Sequence, residues 1–283
     1  MITIALLTVR ELVRRRIVWL LAVLTLVSVA LVGFGVERLV SLARADGVEE
    51  LAIRVGVSQV LILIAFMFSF ILAMTAAFLG APAIGGDIES GVALALLARP
   101  LRRTELLLGR WLGLAVVVVA YTVASGALAI LVVDVIAGFG PPHPELALAY
   151  LAAQAVVLMT LTLALGSVLP AIGAGAIAVV AFGIGWIAGV LASVAAALDL
   201  PSLAGIAEAS RWILPSDGLW RGVVFGLEPP VAALVAQGRS LEGLSANPFF
   251  AFEAPPLTFV AWTVAWCAIV LGLAAWRLAK RDL

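Results

Sequence analysis

Of 283 residues, 64% are hydrophobic and 12% are charged, about half the charged share of an average soluble domain, and the mean hydropathy is +1.22. This is the composition of an integral membrane protein, and its net charge of zero gives no reason to expect a nucleic-acid partner. A single cysteine, Cys267, excludes an intrachain disulfide and a thiolate metal cluster, and a single histidine, His143, set among Pro141, Pro142 and Pro144, leaves zinc and serine–histidine chemistry without ligands or base.

Residues 2–16 predict a moderately amphipathic helix. Ile2, Ala5, Leu6, Val9, Leu12 and Val13 share one side, Thr3, Arg10 and Arg14 lie across from it, and Ile4 and Leu7 break the pattern. With Arg15 and Arg16 this reads as a helix on the inner membrane surface, its arginines near anionic headgroups; a disordered basic flank is the competing reading. The apolar run that follows predicts a first span over residues 17–38. Ala43-Arg44-Ala45 resembles a signal-peptide cleavage site, but the apolar region is too long for one, and Glu37 and Arg38 intervene. A polar segment with Asp46, Glu49 and Glu50 leads to a second span at 55–80.

Residues 85–110, GGDIESGVALALLARPLRRTELLLGR, form the one long polar interruption with a helical pattern of its own. Ile88, Val92 and Leu96 recur every four residues, and Pro100 stops that helix by lacking an amide hydrogen and pushing Arg99 out of the α region. Thr104 then caps a second helix, with Glu105 in its first turn, and the apolar run from Leu106 continues into the membrane. Such a stretch suits docking of a soluble partner from the cytoplasm; the plainer alternative is a loop whose arginines only fix orientation.

Further spans are expected at 111–136, 146–169, 171–198 and 257–277, within one transmembrane domain covering 1–283. Residues 199–256 are too long for a mere connection, and their apolar patches are too short to cross a bilayer, so short interfacial or re-entrant helices are expected, with a small outer domain as the alternative. The fold class is therefore all-α and polytopic, with six transmembrane helices. If both termini face the cytoplasm, eleven of the seventeen basic residues and five of the seventeen acidic ones lie inside, an asymmetry that supports this orientation in an inner membrane.

Asp134 is the one ionisable residue within the predicted spans that an ion-coupled carrier could use, and its place near the outer end of the third span equally suits contact with headgroup water. No P-loop exists, because the only lysine, Lys280, stands between Ala279 and Arg281. No enzymatic constellation, cofactor site or metal site is expected.

Asp87-Ile88-Glu89-Ser90-Gly91, the leucines from Leu94 to Leu97, the Arg99-Pro100 corner, Arg102-Arg103 and Leu108-Gly109-Arg110 resemble the permease subunits of ABC-2 type ATP-binding-cassette transporters. Leu214-Pro215-Ser216-Asp217 with Trp220-Arg221 is similar to a segment in the branch that includes the permease of nitrous-oxide-reductase maturation. The resemblance implies an exporting permease without enzymatic activity of its own, a separate ATPase subunit, and a second permease chain, as homodimer or heterodimer, amid membrane lipid. It also places the ATPase contact at Asp87, Glu89, Gly91, Arg99, Pro100, Arg102 and Arg103. A membrane anchor or assembly scaffold that moves nothing is the alternative.

Overall fold

The computed structural model describes residues 1–14, 16–89, 103–198, 200–230, 234–235, 238, 240, 244 and 247–280. In these, nine helices are described: α1 (Ile2–Arg14), α2 (Arg16–Ala45), α3 (Glu50–Glu89), α4 (Arg103–Ala137), α5 (Pro144–Gly166), α6 (Ala171–Ala197), α7 (Pro201–Ile213), α8 (Ser216–Leu227) and α9 (Leu257–Lys280). Among the described residues there is no strand.

Six helices, α2 to α6 and α9, are long and apolar enough to cross a membrane. They run alternately up and down, so the bundle has a near side, which carries α1, the end of α3, the start of α4 and the end of α9, and a far side. The polar segment between the first two spans is itself mostly helical: α2 runs on to Ala45, and Gly47, with φ of 72°, makes the turn into α3.

The bundle is built around α5. It packs against α3, α4, α6, α8 and α9, which explains why its sequence from Leu146 to Leu169 holds no charge. Gly166 lets α5 touch α3 at backbone distance, since a Cβ there would stand 2.7 Å from the Ala81 carbonyl oxygen. Two hydrogen bonds between helices hold buried polar groups of α5: Ser69 donates to Gln154 Oε1 at 2.8 Å, and the Trp111 indole donates to Thr160 at 2.8 Å.

Before the last span, α7 and α8 form a helical hairpin that reaches in among the spans. Leu214 is extended, as the residue before Pro215 must be, and it forms the elbow between α7 and α8. Gln154 Nε2 donates to the Ser216 carbonyl at 3.0 Å, and Trp266 Nε1 donates to the Ile213 carbonyl at 2.7 Å. Those donors lie ten residues from the far end of α5 and nine from that of α9, so the elbow sits roughly 14–15 Å down each helix, about half way along α5. From there α8 climbs back toward the far side. Gly218, Gly222 and Gly226 lie along its packed faces, where added methyls would overlap Phe259, the Tyr150 ring and the His143 carbonyl. At its top, the Leu227 carbonyl accepts from Ser58 at 2.9 Å.

Candidate functional site

On the near side, α3 and α4 are much longer than a bilayer requires. At 40 and 35 residues they measure about 60 and 52 Å, against a hydrocarbon core of roughly 30 Å, so both project beyond it. Pro82 falls inside α3 and removes the donor that the Phe78 carbonyl would otherwise have four residues on. Nevertheless, α3 continues to Glu89, so the second span and the beginning of the predicted docking stretch are one helix. Asp87 and Glu89 therefore lie in the last turn of α3; their side chains, and Gly91, Arg99, Pro100 and Arg102 entirely, fall outside the described residues, as does the expected helix over Val92 and Leu96. On the other side of the stretch, α4 opens at Arg103, two residues earlier than a Thr104 cap would allow, and Glu105 is in its first turn as expected.

Arg103 is the one predicted contact residue whose surroundings are described. Its Nη1 donates to the Leu278 carbonyl at 3.0 Å, satisfying one of the last carbonyls of α9 and joining the start of α4 to the end of the last span.

α1 is packed on α4 rather than attached to lipid alone. Added methyls at Gly109 and Gly113 would stand 2.7 Å from Ile4 Cβ and 2.7 Å from the Ala5 carbonyl oxygen, so these two glycines form the seat for α1. Arg110, between them, donates to Glu11 at 2.9 Å. The buried stripe of α1 is Ala5, Thr8 and Leu12, rotated from the sequence-predicted face, and Ile4, which spoils that face, is a packing residue. Ile2, Leu6 and Val13 remain exposed, which leaves two apolar directions on one short helix, one toward protein and one toward lipid.

Between these elements, α2, α3, α4 and α5 line a partly open cavity of about 380 Å³, with Val223 and Leu227 of α8 also in its wall. Its wall is almost wholly apolar. The exceptions include Thr25 and Tyr121, whose hydroxyls share a hydrogen bond at 2.7 Å, and Ser28 and Ser125.

With two long helices framing a polar stretch and lining a cavity, the chain matches the family described as ABC-2 family transporter protein over residues 2–283. The chain belongs to the ABC-2 transporter family. As a member it is a multi-pass membrane permease, and membership implies association with an ABC ATPase subunit. A comparison with curated proteins returns no match.

The remaining singled-out residues have structural places. Asp134 is exposed in the last turn of α4. His143 forms the cap position of α5 and stacks on Phe225 at 5.7 Å, and Cys267 is partly buried in α9. Among the described residues, no group of three or more metal-ligating side chains occurs. The sequence reading missed the Gly109–Gly113 seat, whose signal is a pair of glycines four apart, and the glycine series along α8, whose signal is the same spacing repeated.

Proposed function

We propose that the chain is the membrane half of an ATP-driven exporter, that its near side is cytoplasmic, and that residues 85–110 dock on the ATPase. Asp87, Glu89, Gly91, Arg99, Pro100, Arg102 and Arg103 are the contact residues in this reading, and a second permease chain, identical or related, completes the path.

The observation that supports it is the continuity of α3 and α4: each emerges from the proposed docking stretch and runs as one helix into the wall of the cavity. A displacement at their near-side ends would therefore be carried into the membrane by helical hydrogen bonds. Asp87 and Glu89 end α3 where its dipole is already negative, so that end favours a basic groove on a partner. Arg103, bonded to the end of α9, would extend the movement to the last span.

The test is co-purification in mild detergent of the wild type beside the double variant Glu89→Arg, Arg102→Glu. A P-loop ATPase that accompanies the wild type and is lost from the variant supports the docking role, and stimulation of its ATPase activity by the permease separates a transporter from a scaffold. No ATPase with either form would refute it.

A further inference from the structure

The elbow of the α7–α8 hairpin carries charges that the permease reading does not use. Asp217 is 7% exposed, and one of its oxygens, Oδ2, faces both Arg211 Nε at 2.9 Å and Arg221 Nε at 3.7 Å. The carboxylate is fixed from the other side by Gly189 of α6, where any Cβ would overlap it, so α6, α7 and α8 meet at this one group. Gly189 lies eight residues, roughly 12 Å, from the far end of α6, which agrees with the depth of the elbow measured on α5 and α9.

Two guanidinium groups against one carboxylate leave a net charge of +1 at membrane depth, and such a charge is costly unless it is balanced. Both arginines approach Asp217 through Nε. Their terminal amino groups have no hydrogen-bond acceptor among the described residues, and the two side chains are 26% and 31% exposed, so these donors are reachable. Guanidinium groups held side by side suit the oxygens of a phosphate. Around the elbow, Trp212, Ile213 and Ile187 expose apolar surface for a hydrocarbon tail.

We propose that Arg211 and Arg221, positioned by Asp217, form a binding site for a singly charged oxyanion of the phosphodiester type, carried by an amphiphile entering from the far half of the bilayer. A phosphodiester of charge −1 brings the site to neutrality. Asp217 is a positioning residue here, because it sets the spacing of the two arginines and is itself shielded from a ligand.

The test uses the full-length protein in an uncharged maltoside detergent, with adducts measured by native mass spectrometry during titration with dihexanoylphosphatidylglycerol, dihexanoylphosphatidylcholine and inorganic phosphate. The expected result is saturable phosphatidylglycerol binding that Arg211→Gln and Arg221→Gln each weaken at least tenfold, while Arg38→Gln, on the exposed far-side turn of α2, has no effect. Phosphatidylcholine, whose own cation competes with the arginines, should bind more weakly. Inorganic phosphate binding with the same arginine dependence would support the oxyanion site and assign it to a soluble anion. If a glutamine variant does not fold, Arg221→Lys decides: it keeps the charge and loses the fork, and a several-fold loss is expected. Phosphatidylglycerol binding indifferent to both arginines, or absent from the wild type, would overturn the proposal.

Discussion

Replacing Gly113 with alanine tests whether α1 is seated on the protein. The new Cβ would lie 2.7 Å from both the Ala5 carbonyl oxygen and Thr8 Cβ, whereas ordinary contacts begin near 3.4 Å, so α1 must withdraw by about 0.7 Å. The obstacle is partly backbone and cannot rotate away. A shift of that size along the Arg110–Glu11 bond takes it from 2.9 Å to roughly 3.6 Å, beyond hydrogen-bond range. Overpacking of this kind costs about 1–3 kcal/mol, which should raise the open population of α1 roughly five- to 150-fold. Amide hydrogen exchange of the detergent-solubilised protein reads this directly: peptides from residues 2–14 should lose protection by that factor while those of α6 stay unchanged. If α1 exchanges within about twofold of the wild type, the seat contributes little, and lipid contact alone must hold the helix.

Gln154→Leu should remove the bond to the Ser216 carbonyl and leave Ser69 without its acceptor, lowering stability by about 1–3 kcal/mol in thermal melts followed by tryptophan fluorescence. Gly222→Ala should cost a similar 1–3 kcal/mol, because its methyl overlaps the Tyr150 ring; unchanged melting would show that the ring swings aside freely. Tyr121→Phe deletes only the hydrogen bond to Thr25, so a loss of about 1 kcal/mol is expected by chemical denaturation, with α2 peptides exchanging faster.

The apolar runs made the fold class readable, since a twenty-residue run has few fates other than crossing a membrane. Helix ends were less legible. Glu37, Arg38 and Arg44 look like the end of a span, yet α2 continues through them, because helical hydrogen bonds persist where side chains reach water. For the hairpin of α7 and α8, patch lengths alone suggested short helices that do not cross, and its depth depends on Gln154 and Trp266, which are unremarkable in the sequence. The face of α1 was misjudged for a related reason: periodicity ranks apolarity, while packing against Gly109 and Gly113 rewards fit, and Thr8 fits once its hydroxyl donates to the Ile4 carbonyl at 2.9 Å. The cluster at Asp217 is not legible in the sequence, because Arg211 enters it from a different helix.

The last helix is fastened at its near end and again toward its middle. Near Leu278 it accepts a hydrogen bond from Arg103, and at Trp262 and Trp266 it donates to the carbonyls that end α7. Trp266 and Leu278 are twelve residues apart, so this part of α9 is a strut about 18 Å long between the start of α4 and the elbow. A tilt of roughly 5° about the midpoint of that strut would move each attachment about 0.8 Å in opposite directions, so a push on one side of the bilayer would arrive at the elbow as a pull, with no other helix changing its length.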